Sequence, residues 1–214
     1  ILEEKELKIL RKAIDIAEKS AAKKVALSSE MKDIIEIVET FLKENDLVCY
    51  GGTAINNILP KSDQFYNKDI EIPDYDFFSP NALKDANKLA DIYFKKGYTE
   101  IEAKAGMHFG TFKVFVNYIP VADITQMDSD LFDVVLRDSM KINNIYYAPP
   151  NYLRMSMYLE LSRPAGNVSR WEKVLKRLIL LNKHYPLKGN NCSSETFMRT
   201  FESNKEQQDK ISNH

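Results

Sequence analysis

Cysteine, long apolar runs and net charge are all scarce in this sequence, and each absence excludes a class of protein. The two cysteines, Cys49 and Cys192, form neither a disulfide framework nor the spacing of a zinc site, which favours a reducing compartment. No apolar run is long enough to cross a bilayer and no signal peptide begins the chain, so we expect an intracellular protein without a membrane partner. The formal net charge is -1, so any nucleic-acid contact must come from local basic patches.

The composition that remains is typical of a folded domain. Hydrophobic residues make up 44% of the chain and charged residues 29%, which predicts a packed core. The apolar pattern predicts an α/β (α+β) fold with a mixed sheet and flanking helices at both ends. We expect N-terminal helices in residues 1–45, a central domain in residues 46–148, and a C-terminal helical segment with a polar tail in residues 149–214, the start of a further domain.

Hydrophobic spacing also predicts the individual elements. Predicted helices cover residues 2–27, 30–43, 53–59, 80–96, 128–140, 151–162 and 169–183. Predicted strands cover residues 47–50, 72–78, 98–104, 110–118 and 119–125, with an edge strand at 142–147. Ser29 is the expected N-cap of the second helix, and Ser169 with Glu172 has the spacing of a capping box for the last. The apolar stripe of the first helix suits either a homodimer contact or a cover for the sheet.

Two aspartates, Asp74 and Asp76, lie two residues apart on the predicted strand 72–78. Because side chains alternate along a strand, both carboxylates point to one face, about 7 Å apart. Two carboxylates repel each other unless a cation lies between them. A pair of Mg²⁺ ions about 3.5–4 Å apart, as used for in-line phosphoryl transfer, meets that need. The alternative is a pair of exposed acids at a strand edge.

The segment Gly51-Gly52-Thr53 ends one predicted strand and begins a helix. Such a turn exposes backbone N–H groups that, with the helix N-terminus, attract phosphate, and the Thr53 hydroxyl adds a donor.

Later in the chain, Asp123 interrupts another apolar strand. A neighbouring strand would bring Asp123 to the face of the aspartate pair as a third metal ligand or a proton acceptor. The alternatives are an ordinary turn and an ordinary acid at a strand end.

These motifs together resemble the polymerase β nucleotidyltransferase superfamily. Residues 50–56, 73–79 and 162–182 are similar to the poly(A) polymerase catalytic subunits of mimivirus-like and poxvirus-like large DNA viruses, and the resemblance covers about residues 47–183. It implies a polymerase β-type fold and template-independent addition of AMP from ATP to RNA 3′ ends. Such proteins are longer than this chain, so we expect a C-terminal RNA-holding domain to be missing here.

The resemblance also implies roles for particular residues. In such enzymes two strand acids, here Asp74 and Asp76, hold two divalent ions, Mg²⁺ or Mn²⁺. The third acid, here Asp123, binds the metal nearer the RNA 3′-hydroxyl and helps to deprotonate it, while the turn Gly51-Gly52-Thr53 holds the triphosphate. The implied partners are ATP, a single-stranded RNA 3′ end, and a homodimer mate or processivity subunit. The implied location is the cytoplasm of an infected cell, a virus factory or the virion.

A basic helix near the end of the chain supplies further candidates. Arg170, Lys173 and Arg177 fall on one face of the helix predicted at residues 169–183. We predict that Lys173 and Arg177 contact triphosphate or RNA, against the alternative of a solvated helix face. His108 is a weaker candidate for an RNA contact, and Arg154 for either a phosphate contact or an internal salt bridge.

Two other functions stay open at this stage. A CCA-adding or small-molecule nucleotidyltransferase would keep the same aspartate pattern, and the nucleotide and acceptor used would distinguish it. A non-catalytic RNA-binding or processivity scaffold is the alternative of another class, and a measurement of metal binding would distinguish it.

Overall fold

The computed structural model describes residues 4–26, 28–66, 72–163 and 166–187 of the chain. These residues form two compact units, of which the first ends at Pro149 and the second begins at Pro150. The first unit contains the sheet and the second contains two helices. The domain limits inferred from the sequence stay a prediction.

The strands of the first unit form one mixed sheet. They are β1 (Val48–Cys49), β2 (Tyr75–Ser79), β3 (Ile101–Ala105), β4 (Thr111–Val116), β5 (Ile119–Gln126), β6 (Met140–Ile142) and β7 (Ile145–Tyr147). Their order across the sheet is β3-β4-β5-β2-β1-β7-β6. The pairs β2–β5 and β1–β7 are parallel and the other neighbours are antiparallel. The fold class predicted from the sequence, a mixed sheet with flanking helices, is confirmed.

Helices accompany the sheet in the first unit and make up the second. The first unit has α1 (Glu4–Ala26), α2 (Ser29–Glu44), α3 (Gly51–Ile58), α4 (Ala82–Lys95) and α5 (Ser129–Arg137), and the second has α6 (Pro150–Leu161) and α7 (Trp171–His184). Phe41 of α2, Tyr93 of α4 and Phe77 of β2 are almost completely buried, and each such side chain stabilises the fold by about 1.5–3 kcal/mol. The Tyr93 hydroxyl donates to the Ile34 carbonyl at 2.7 Å, which ties α4 to α2.

The first helix differs from the others because its described side chains are all exposed. Leu10 is 48% exposed and Ile14 is 45% exposed, so the apolar stripe of α1 does not cover the sheet at these positions. Among the residues that the structure describes, no helix is both long enough and apolar enough to span a membrane.

Two predictions about helix caps are wrong. The N-cap of α2 is Ser28, not Ser29, and its hydroxyl accepts from the Met31 amide at 3.2 Å. The capping box does not form, because the Ser169 hydroxyl donates to the Asn167 side chain at 2.5 Å and Glu172 pairs with a lysine one turn later.

The predicted edge strand 142–147 is instead a hairpin of β6 and β7. Asn143 and Asn144 form its turn with φ values of 51° and 63°, and asparagine tolerates this left-handed backbone better than most residues. The hairpin places β6, rather than the predicted strand, at the sheet edge. It leaves β7 free to pair with β1 on its other side.

Candidate active site

The candidate site is built on two neighbouring parallel strands. Asp76 of β2 and Asp123 of β5 are register partners, so their side chains leave the sheet on the same face, with the strands about 4.8 Å apart. The Asp123 side chain is only 15% exposed. Its Oδ1 atom is buried and has no hydrogen-bond partner among the described residues. Burial of a carboxylate oxygen without a partner costs free energy, and a bound cation would offset that cost.

The sequence pattern predicted Asp74 within the strand. In the structure it lies one residue before β2. Its backbone carbonyl accepts a hydrogen bond from the Thr53 hydroxyl at 2.7 Å. Desolvation raises the pKa of Asp74, the Asp123 carboxylate raises it further, and Lys113 opposes both effects. The charges of Asp74, Asp76 and Asp123 all act on the Lys113 ammonium group, and these three residues are called the acidic cluster below.

Lys113 is a component of the site that the sequence analysis missed. It is the register partner of Asp123 on β4, and its ammonium group donates a hydrogen bond to Asp123 Oδ2 in an ion pair. Burial alone would lower the pKa of Lys113. The hydrogen bond to Asp123 and the charges of the acidic cluster outweigh that effect and raise it.

The glycine turn lies directly against one of the acids. Gly51 begins α3 with a φ of 69°, and a Cβ atom added there would lie 2.4 Å from Asp76 Oδ2. The Tyr50 amide donates to the Asp76 carbonyl at 2.9 Å. Gly52 is buried in the first turn of α3, where backbone N–H groups lack partners within the helix. A side chain at residue 51 would be strained by the positive φ and would displace the Asp76 carboxylate, so this position favours glycine.

Thr53 lies in the same turn, and its side chain faces inward. It is 5% exposed, and its hydroxyl hydrogen is donated to the Asp74 carbonyl. The observed bond links the turn to the backbone of Asp74, so Thr53 positions this acid. A contact between Thr53 and the triphosphate stays a prediction.

A second row of side chains supports the same face of the sheet. The rings of Tyr50 and Phe78 stack with centroids 3.9 Å apart and an angle of 11°. The Tyr50 hydroxyl shares a hydrogen bond of 2.8 Å with Thr125, whose hydroxyl lies 3.0 Å from that of Thr111. This row joins the glycine turn to β2, β5 and β4, and it limits the movement of the backbone beneath the acidic cluster.

The donor set of the cluster fits a hard divalent cation. Carboxylate oxygens are the ligands that Mg²⁺ and Mn²⁺ prefer, and Asp123 Oδ1 offers one such oxygen without a partner in the described part of the chain. Within the described ranges, however, no three His, Cys, Asp or Glu side chains are arranged to hold a metal ion as they stand. A cation would therefore have to draw the three carboxylates together, over backbones that are already adjacent.

The basic residues of the second unit divide into different environments. Lys173 is exposed on α7, whereas Arg177, one turn later, is buried. Their contact with triphosphate or RNA stays a prediction.

Arg154 is 3% exposed, and it donates to Asn182 at 2.7 Å, to a second asparagine side chain and to a backbone carbonyl. It is thus a buried hydrogen-bonding group that makes no salt bridge within the described ranges, and its contact with phosphate stays a prediction. His108 is exposed between β3 and β4, and its RNA contact also stays a prediction.

Comparison with known sequences places these motifs in a family. The family model described as "Poly(A) polymerase catalytic subunit" matches residues 36–167. A protein of African swine fever virus (isolate Pig/Kenya/KEN-50/1950), named "Putative poly(A) polymerase catalytic subunit", is 32% identical over 173 residues, which are 78% of this chain and 36% of that protein. A protein of the same name from Acanthamoeba polyphaga mimivirus is 30% identical over 164 residues, which are 74% of this chain and 27% of that protein.

Solved structures agree with the sequence comparison. The Megavirus polyadenylate synthase matches with a TM-score of 0.76 and 26% identity over 89% of this chain and 40% of the other. JHP933 from Helicobacter pylori shares the fold alone, with a TM-score of 0.51 and 14% identity over 74% of this chain and 68% of the other. The chain spans about a third of the length of its viral relatives. The resemblance seen in the motifs is confirmed, and the chain belongs to the poly(A) polymerase catalytic subunit family.

Proposed function

We propose that this chain carries the catalytic centre of a polynucleotide adenylyltransferase, which adds AMP from ATP to the 3′ ends of viral RNA in an infected cell. One observation carries the proposal: Asp76 and Asp123 are register partners on parallel strands, with the Gly51 turn against Asp76. This arrangement lies inside the span that matches the family. It supplies adjacent oxygen ligands and a phosphate-binding backbone at one place.

The acidic cluster would hold the divalent ions, two Mg²⁺ or Mn²⁺ in this proposal. When bound, such ions neutralise the charge that develops at the transferring phosphoryl group and favour ionisation of the attacking hydroxyl. The chain's own contribution is position, because strand register fixes Asp76 and Asp123 side by side. The Thr53 hydrogen bond fixes the backbone of Asp74 next to them. Groups fixed in this way lose little conformational entropy when the reactants bind.

The transfer itself exchanges one bond at phosphorus for another. The RNA 3′-oxygen attacks the α-phosphorus of ATP, and a new P–O ester bond forms. The bond from the α-phosphorus to the oxygen shared with the β-phosphate breaks, so pyrophosphate leaves with the electron pair. The proton of the 3′-hydroxyl passes to the Asp123 carboxylate, whose Oδ1 atom has no partner in the described structure.

The turn Gly51-Gly52 would hold the triphosphate. Backbone N–H groups in the first turn of α3 have no partners within the helix, and the helix dipole favours an anion at this end. The lack of side chains at these two residues allows phosphate to approach the backbone. For Lys173 and Arg177 of the second unit, a contact with triphosphate or RNA stays a prediction.

Primer extension tests this proposal against its alternatives. The chain is incubated with a short single-stranded RNA, Mg²⁺ or Mn²⁺, and each of the four nucleoside triphosphates, beside Asp76→Asn and the control Asp133→Asn, which changes an exposed acid on α5. We expect extension with ATP alone, its loss in Asp76→Asn and its retention in the control. Extension without preference for ATP would assign the site to another nucleotidyltransferase. Binding of RNA without any extension would favour a scaffold.

A further inference from the structure

A row of charged residues crosses four strands of the sheet and ends in the acidic cluster. Lys104 of β3 is the register partner of Lys113, which is the partner of Asp123, which is the partner of Asp76. Residues opposite one another in a sheet project from the same face. The row therefore places two cations beside two anions in a fixed order, and Lys113 is the cation in contact with the cluster.

The contact between Lys113 and Asp123 is made at one oxygen only. The ammonium group binds Asp123 Oδ2, while Oδ1 is buried without a partner in the part of the chain that the structure describes. The Lys113 side chain is 33% exposed, so its flexible stem has a path to solvent. The charges of Asp74 and Asp76 also act on this ammonium group, and within the described residues the three carboxylates are not arranged as a metal site.

We propose that Lys113 is the resident counter-ion of the acidic cluster, which stabilises the metal-free protein and gives up Asp123 Oδ2 when a divalent cation binds. The inference rests on the proposed cation site, and it assigns Lys113 as a positioning residue rather than a catalytic one. An ammonium group and a divalent cation a few ångströms apart repel each other strongly. Lys113 therefore weakens binding of the free cation. A cation that arrives with the negatively charged triphosphate meets less of this repulsion.

A counter-ion role predicts that removal of the Lys113 charge changes stability and cation affinity in opposite directions. Removing the Lys113 charge leaves the three carboxylates without compensation, so the metal-free protein loses stability. The same change removes the repulsion of the incoming cation, so the cation binds more tightly. If Lys113 only held Asp123 in a conformation suited to the metal, its removal would weaken both properties together.

Thermal unfolding with and without Mn²⁺ separates these cases and needs no substrate. The variants are Lys113→Met, Lys113→Arg and the control Lys104→Met, which removes the neighbouring lysine of the same row. We expect Lys113→Met to lower the unfolding midpoint without metal by about 5 °C and to reach half of its Mn²⁺ stabilisation at about tenfold lower Mn²⁺. Lys113→Arg keeps the charge, so we expect it to behave as the wild type. Lys104 pairs with the exposed Glu102 at 2.6 Å, so its change should alter neither property.

Other outcomes overturn the proposal in recognisable ways. Weaker Mn²⁺ binding by Lys113→Met, or unchanged behaviour, would exclude a counter-ion that competes with the cation. Absence of any Mn²⁺ effect on the wild type would contradict the cation site itself, and with it both proposals. If Lys113→Met is unfolded without metal, Asp123→Asn is added to it. The counter-ion role requires that this double variant folds as well as Asp123→Asn alone, and a further loss of stability would contradict it.

Discussion

Asp76 and Gly51 are in such close contact that a single methyl group between them would meet Asp76 Oδ2 at 2.4 Å. The contact joins the turn proposed to bind phosphate to a ligand of the proposed cation site. The Tyr50 amide, which donates to the Asp76 carbonyl at 2.9 Å, fixes the same two segments through the backbone. A change in the turn must therefore move the acid.

Gly51→Ala should lower the stability of the protein by more than the strain of a positive φ alone would. Gly97 provides a matched control, because it also has a positive φ, of 97°, but an added Cβ there meets nothing within 4 Å. Gly97→Ala should cost only the strain of about 1 kcal/mol. In Gly51→Ala the Asp76 carboxylate must also move away from the added Cβ, so we expect this variant to be the less stable of the two and to lose its Mn²⁺ stabilisation. Chemical denaturation of both variants checks this, and equal losses would contradict the contact.

Thr53→Val should weaken the site without removing any charge. It leaves the Asp74 carbonyl without its donor, at a cost of about 1–3 kcal/mol, and Asp74 is then free to move. Thr53→Ser keeps the hydroxyl and serves as the control. Urea unfolding and Mn²⁺ titration should show a loss in the valine variant alone. A valine variant that binds Mn²⁺ as the wild type does would show that this hydrogen bond does not position Asp74.

Asp74→Asn should have opposite effects with and without metal. Desolvation and, after it, the Asp123 carboxylate disfavour the ionised Asp74 side chain, and together they outweigh the opposing charge of Lys113. Neutralisation of Asp74 should therefore stabilise the metal-free protein, by about 0.5–1 kcal/mol because solvent screens this exposed residue. The variant should also lose its response to Mn²⁺. Unfolding curves at neutral pH check both parts, with Asp133→Asn as an acid away from the cluster. A destabilised metal-free variant would refute the proposed repulsion.

Arg154→Met should destabilise the second unit while leaving the cation site intact. The buried guanidinium donates to two asparagine side chains and to a carbonyl, and loss of these bonds leaves acceptors unsatisfied at a cost of about 2–4 kcal/mol. Arg163→Met, a change at an exposed position, is the control. Mn²⁺ stabilisation of the first unit should be equal in both variants. Normal stability of Arg154→Met would show that these bonds contribute little.

Several features of the candidate site could be predicted because they are local sequence patterns. The two-residue spacing of Asp74 and Asp76, the apolar context of Asp123 and the glycine pair are visible in the sequence alone. Lys113 was missed because its pairing with Asp123 depends on the register of β4 against β5. That register shifts between Val114 and Phe115, so residue spacing does not reveal it. A lysine inside an apolar strand was the available signal.

Other misses have equally local causes. Ser28 and Ser29 both suit an N-cap, and only the backbone geometry selects Ser28. Helical periodicity placed Lys173 and Arg177 on one face, yet only Arg177 is buried. Burial depends on the neighbouring helix, which the periodicity of one segment does not describe. Long-range packing is therefore the information that the sequence patterns lacked.

The most direct test of the account is the rate of a single AMP addition at saturating RNA and ATP. It is measured for the wild type, for Asp76→Asn and Asp123→Asn, and for the exposed-acid control Asp133→Asn, with the pyrophosphate released counted against the AMP incorporated. The account predicts one pyrophosphate per AMP, a fall of at least about 10³-fold in each of the two site variants, and no change in the control. AMP addition that persists in Asp76→Asn and Asp123→Asn would contradict the assignment of this pair as the catalytic centre.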